Sequence, residues 1–273
     1  MAFNILLLDP TVYGATDVYF AGQKEGTKTI KTCREWATSE NAHLYFNLGV
    51  FDMKTGESNC YVKGTHMISD SSGATHGNIG GYSDILSINS SNQCKGYSNG
   101  IVIGKISINK PMGGSRTRNG IGITKRGHII IAQCGHNATE KNFCEAVNAY
   151  VSARSQKVDL FLLEDGGGST QEYSALSKLN FAPEGGRRVA TIVCVKFLAL
   201  PTVVYPVYKN RPQCNDNLIV QTLLGGLECD GKFGTLSAAR LTSAQRALSL
   251  PAPMQNGIAD GLTLHRLGIP TNF

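Results

Sequence analysis

The run Leu162-Leu163-Glu164-Asp165-Gly166-Gly167-Gly168-Ser169-Thr170 sets two adjacent acids directly before three glycines and two hydroxyl residues. Glycines lack a side chain, so a ligand or another backbone can approach them closely. Carboxylates at the exit of a strand, beside bare amide N–H groups, suit a polar ligand. The competing reading is a tight turn carrying a solvated aspartate.

The elements around the run follow from apolar periodicity. Val158–Leu163 reads as a strand, and so does Gly127–Ala132. Between them Asn137-Ala138-Thr139-Glu140 has the form of a capping box, with Asn137 as N-cap. Phe143, Ala146, Val147, Tyr150 and Val151 then fall on one helical stripe. A β-α-β unit with a right-handed crossover makes the two strands parallel and puts the acidic run at a carboxyl end, where open sheets bind ligands. Val189–Val195 is a further strand, preceded by Arg187-Arg188. His43–Val50 and Ile101–Ile108 read as strands among Gly/Ser/Asn-rich turns.

Composition bounds the function. The 273 residues are 41% hydrophobic and 17% charged, which are globular values, and the chain is long enough for one large domain or two smaller ones. The net charge is +6; the 22 basic and 16 acidic residues of the first 214 account for all of it. The basic residues form no stripe with interleaved aromatics, so nucleic-acid binding is not expected. No apolar run is long enough for a membrane helix. The start, Met1-Ala2-Phe3-Asn4-Ile5-Leu6-Leu7-Leu8, lacks a basic region and reads as a strand, so the expectation is synthesis in the cytoplasm without a signal peptide. Eight cysteines contain no CxxC pair, which argues against a zinc site. Cys214 and Cys229 are the pair to test for a disulfide. Cys134 beside His136 has the types of a thiol nucleophile and base, but no orienting third group is evident.

Three prolines and no period mark 199–213 as a linker. Beyond it, Asn217–Leu224, Leu236–Leu248 and Leu262–Leu267 read as short helices. The division expected is therefore 1–198 catalytic, 199–213 linker and 214–273 a small all-α part. The last part resembles the peptidoglycan-binding three-helix module, at about 213–270. The carrying residues are Val220-Gln221, Asp230-Gly231-Lys232-Phe233-Gly234, Ala244-Gln245-Arg246-Ala247-Leu248 and Gly257-Ile258-Ala259-Asp260. Leu264 stands where that family often has Trp.

Four segments in order resemble the phosphodiester glycosidase family, at about 40–197. They are Asn47-Leu48-Gly49-Val50-Phe51-Asp52 with Thr55-Gly56-Glu57, then Arg118-Asn119-Gly120-Ile121-Gly122 (with Arg116-Thr117 as an alternative register), Asp165-Gly166-Gly167-Gly168-Ser169 and Arg187-Arg188-Val189-Ala190. Leu163-Glu164 departs from the Asn-Leu that usually precedes the glycine motif. Cys134-Gly135-His136 stands where an Asp-Gly pair is common. The family's uncovering-enzyme type removes N-acetylglucosamine from a sugar-1-phosphodiester.

The resemblance implies an α+β fold with a mixed sheet and a hydrolase that needs little proton donation, because phosphate is a good leaving group. The carboxylates Asp165, Asp52, Glu164 and Glu57 are the candidates for stabilising an oxocarbenium-like sugar. Arg118, Arg187 and Arg188 are candidates for phosphate. Gly166, Gly167 and Gly168 offer amides, and Asn47 and Ser169 offer hydrogen bonds to the sugar. Asp52 reads equally as a turn cap, Glu164 as a solvated side chain, and one of Arg187 and Arg188 faces away if they begin a strand. No metal ligand set or other cofactor is expected, and a divalent cation is left open. The two resemblances together imply a bacterial cell-wall polysaccharide or peptidoglycan as partner, reached as a bacteriophage lysin or virion enzyme reaches it. A peptidoglycan hydrolase cutting the glycan strand and a non-catalytic wall-binding protein are the alternatives. Oligomeric state is not legible.

Overall fold

The computed structural model describes residues 3–9, 16–24, 26–49, 51, 53–57, 60–63, 66–69, 87–88, 94–95 and 115–273. Asp52 and the expected strand at 101–108 lie outside them.

The chain is α+β as expected, but every strand pair among the described residues is antiparallel, so the expected mixed sheet is corrected to antiparallel ones. The first sheet has the order β1-β9-β8-β10, formed by β1 (Phe3–Leu8), β8 (Arg116–Thr124), β9 (Ile129–Ala138) and β10 (Val158–Glu164). Its members are apolar runs: Ile5, Ile121, Ile130, Ile131 and Phe161 are buried. β8 turns into β9 at Lys125-Arg126-Gly127, where Gly127 adopts φ +83° and its N–H donates to Thr124 O at 2.9 Å.

The expected β-α-β unit needs correction. β9 and β10 do run in the same direction, with helix α2 (Glu140–Ser152) between them in sequence. They are not neighbours, because β8 lies between them and pairs antiparallel with each. The hairpin contact of β8 with β9 takes the ladder that a parallel partner needed. The helix start also moves: β9 continues to Ala138, and Thr139 is the N-cap, its hydroxyl accepting from Asn142 N at 3.1 Å.

The second sheet has the order β12-β11-β3-β13-β2, from β2 (Thr16–Gly22), β3 (Leu44–Asn47), β11 (Glu172–Ser174), β12 (Leu179–Phe181) and β13 (Thr191–Phe197), all pairs antiparallel. One face contributes Phe20, Phe46 and Val193 to the main core. The other carries Tyr45, Ile192 and Cys194 to a second cluster with Trp36 of α1 (Cys33–Trp36). Two small hairpins are also present, β4 (Cys60–Lys63) with β5 (His66–Ser69), and β6 (Ser87–Ile88) with β7 (Cys94–Lys95).

Helices α3 (Asn215–Leu224), α4 (Thr235–Ala247) and α5 (Gly261–Arg266) occupy the C-terminal third. Leu223, Phe233, Leu241 and Leu264 belong to the same core cluster as the sheets. The 199–213 segment is tied down as well. Val203 and Val207 are fully buried, and Asp216 accepts from Val204 N at 3.1 Å and Tyr205 N at 3.2 Å. Cys214 and Cys229 are both free thiols.

The helices repeat one device. Gln221 Oε1 accepts from Gly231 N at 2.8 Å, while its Nε2 donates to Asp230 Oδ1 at 3.0 Å and Lys232 O at 3.0 Å. Gln245 does the same one helix later: Oε1 accepts from Gly257 N at 3.0 Å, and Nε2 faces Asn256 Oδ1 at 3.4 Å and donates to Ile258 O at 2.9 Å. Gly231 and Gly257 sit at φ +76° and +73°, so each turn needs its glycine. Among the described residues no helix is long and apolar enough to cross a membrane.

Candidate active site

The two sheets meet at the acidic run. Asn47, at the end of β3, donates Nδ2 to Asp165 O at 2.7 Å and accepts at Oδ1 from Gln171 N at 2.9 Å. Asp165 N donates to Leu48 O at 3.0 Å, and Asn119 Nδ2 donates to Asn47 O. Asn47 is fully buried. It holds the backbone on both sides of the glycines, so its amide is spent on positioning them.

Gln171, which no sequence motif marks, is the second anchor. It accepts from Cys33 N at 2.8 Å, donates to Arg187 O at 2.6 Å, and its carbonyl accepts from Gln133 Nε2 at 2.8 Å. The run between the anchors forms a single 3₁₀ turn, Gly167–Ser169. Gly167 adopts φ +60°. A Cβ on Gly166 would lie 2.5 Å from Thr117 O, and one on Gly168 would lie 2.5 Å from Arg187 Nη2. Close approach marks two of the glycines: the Thr117 backbone covers the first, and the Arg187 guanidinium lies on the third.

Glu164 is not solvated. It stands at the end of a buried polar row, Asn4–Gln133–Asn119–Glu164, which crosses β1, β9, β8 and β10 in register on one face. Burial, with the neighbouring Asp165 adding to it, pushes its carboxyl up to about 8. Burial therefore favours the protonated form of Glu164, and Asp165, half-buried, is the more exposed of the pair.

The three arginines separate. Arg118 points to the opposite face and forms a buried ion pair with Glu140 at 3.4 Å, its Nε donating to Ala138 O at 3.1 Å. That commits it to the junction of β8 with the first turn of α2. Arg188 pairs with Glu35 at 2.9 Å, on the far side of the second sheet. Arg187 is the one of the three that meets the glycine run; it is exposed, and its Nη1 lies against Met53 Sδ. Arg187 and Arg188 thus diverge, but they precede β13, so strand alternation, on which the expectation rests, is not its cause.

Glu57 is exposed, and pairs with Lys28 at 3.6 Å. Ser169 is fully buried behind the turn, and its Oγ has no partner among the described residues. Thr117 and Glu184 are additions that sequence reading missed. The Thr117 hydroxyl lies 2.7 Å from Gly167 O and 2.9 Å from Glu184 Oε1, and with one proton it donates to one of them at a time. Cys134 is buried, its Sγ lies 3.3 Å from His136 Nδ1 and donates to His136 O at 3.0 Å, and burial raises its thiol, which disfavours the thiolate. Among the described residues no group of three or more His, Cys, Asp or Glu is arranged to hold a metal ion.

No family model matches the chain, and no curated protein matches it in sequence. Among solved structures it is similar to the catalytic domain of zebrafish N-acetylglucosamine-1-phosphodiester α-N-acetylglucosaminidase, auto-inhibited by its pro-peptide. The identity is 16% and the TM-score 0.43, over 71% of this chain and 82% of that one. It is also similar to a hypothetical protein from Synechocystis, at 10% identity and a TM-score of 0.41, over 71% of this chain and 58% of that one. Both likenesses are weak and confined to the general fold.

Proposed function

We propose that the chain is a hydrolase that cuts the bond between a sugar's anomeric carbon and a phosphodiester, of the N-acetylglucosamine-1-phosphate type, in the bacterial cell wall. The observation that carries the reading is the Arg187 guanidinium seated on Gly168, on the same chain turn as the Asp165 carboxylate. The four ordered motifs of the sequence support it.

The roles follow from charge. Arg187 offers a planar fork to two phosphate oxygens, and Gly167–Gly168 leave room for the diester to come close. Asp165 stabilises the positive charge that builds on the anomeric carbon as the C–O bond breaks. Glu164, kept protonated by burial, adds no second negative charge beside an anionic substrate. Water then adds to the anomeric carbon, and the products are a free sugar and a phosphomonoester. Residues 214–273 hold the enzyme on the wall.

The test is incubation of the wild type, Asp165→Ala and Arg187→Met with a synthetic N-acetylglucosamine-1-phosphodiester and with purified walls, followed by mass spectrometry. Free N-acetylglucosamine, absent with Asp165→Ala and reduced with Arg187→Met, is the expected result. Glycan fragments from walls alone would make the protein a peptidoglycan hydrolase. No product from either substrate would leave a wall-binding protein.

A further inference from the structure

The loop before β13 brings a further carboxylate to the glycine turn. Gly185 N donates to Ala182 O at 3.1 Å. Gly185 and Gly186 adopt φ +93° and +65°, so the chain doubles back between Glu184 and Arg187. Both side chains then reach the same glycine. A Cβ on Gly167 would lie 3.9 Å from Glu184 Oε2 and 3.9 Å from Arg187 Nη2.

Glu184 is anchored there by β8 and not by its cationic neighbour. Its Oε1 lies 2.9 Å from the Thr117 hydroxyl and 3.5 Å from Thr117 N. That leaves Oε2 as the carboxylate oxygen nearest the turn. Arg187 is placed by other contacts, with Gly168 under its guanidinium and Met53 Sδ against Nη1. Both residues are exposed, so an anion that reaches Arg187 also meets Glu184.

Charge then decides which anion fits. One guanidinium and two carboxylates, Glu184 and Asp165, surround the turn. The guanidinium attracts the first negative charge of a ligand, and the two carboxylates oppose a second. A phosphodiester carries one charge, whereas a phosphomonoester carries about 1.5–2 at neutral pH. Selection between two such ligands depends on a repulsive element as much as on an attractive one.

We propose that Glu184 is the specificity-determining residue of this site: it lets a phosphodiester approach Arg187 and turns a phosphomonoester away, so the substrate enters and the phosphate product leaves. The inference rests on the reading of Arg187 as the group that meets the phosphate.

The experiment is titration of the isotope-labelled full chain with dimethyl phosphate and with monomethyl phosphate, followed by amide shifts at about pH 7.5. Neither ester contains a sugar, so binding is read without turnover. Wild type is expected to bind the diester at least as tightly as the monoester. Glu184→Gln keeps an oxygen for Thr117 and removes the charge. It should favour the monoester over the diester by a further factor of at least about five, with unchanged thermal unfolding. A displaced loop would instead change both affinities by one factor. A wild type that prefers the monoester overturns the proposal, as does a ratio that Glu184→Gln leaves within about twofold. Arg187→Met should weaken both esters. Undiminished binding of both in that variant would overturn the phosphate reading of Arg187 and this proposal with it, as would no binding of either ester to wild type at about 100 mM.

Discussion

Asn47 donates its side-chain amide to the backbone oxygen of Asp165 at 2.7 Å. The acceptor end of the same amide takes Gln171 N at 2.9 Å. One side chain from the second sheet thus fixes both ends of a glycine turn that leaves the first. The geometry of the site is set where two sheets join.

Asn47→Ala removes both bonds and strands two buried backbone groups. The expected cost is about 2–4 kcal/mol of stability, read by urea denaturation. A loss under about 0.5 kcal/mol would mean that the turn holds itself.

The first and third glycines should respond differently to a methyl group. At Gly166 the added Cβ meets the Thr117 carbonyl, which is backbone and cannot move aside. Gly166→Ala should cost about 1–3 kcal/mol. At Gly168 it meets the end of the flexible Arg187 side chain. Gly168→Ala should leave stability within about 1 kcal/mol and lower kcat/KM about tenfold by displacing the guanidinium. Equal stability losses at the two positions would contradict the placement of Arg187.

The burial of Glu164 predicts a pH dependence of stability. Its carboxyl is held up to about 8, above the unfolded value, so the folded state favours the proton. Stability is full at low pH and falls as pH rises from the ordinary carboxylate range through about 8. Glu172, raised to about 7 chiefly by burial, adds a slope that ends earlier. Glu164→Gln should therefore flatten the curve most between about pH 5 and 7, with the difference fading through about 8. Denaturation midpoints across that range decide it, and an unchanged slope would place Glu164 in water.

The two glutamine clamps predict equal sensitivities. Gln221→Ala and Gln245→Ala each free a positive-φ glycine turn, and each should cost about 1–3 kcal/mol in urea denaturation. A cost at one position and none at the other would show that the repeat is only visual.

Much of this was legible before any coordinates. The apolar runs of β9 and β10 follow from period, whereas β8, with Arg116, Arg118 and Asn119 among its glycines, carries no such run. The lateral order of the three does not follow from period either, because inserting β8 between β9 and β10 depends on pairing between distant segments, which no local pattern carries. Glu164 illustrates the same limit. Strand alternation says which face it takes, but not that Asn47 and Gln171 close that face from another sheet. The sequence marks three arginines as equivalent, and only tertiary contact divides Arg187 from Arg118, already paired to Glu140. Gln171 carries no signal of spacing at all. The clamp, by contrast, was present in the sequence as Gln221 before Asp230-Gly231 and Gln245 before Asn256-Gly257, two copies of one pattern.

The central claim is that the bond broken lies between the anomeric carbon and oxygen, at the Asp165 turn. Hydrolysis of the synthetic N-acetylglucosamine-1-phosphodiester in water labelled with heavy oxygen tests it most directly. The account predicts the label in the free sugar, none in the phosphomonoester, and no turnover in Asp165→Ala. Label in the phosphate, or turnover that survives the loss of Asp165, would contradict it.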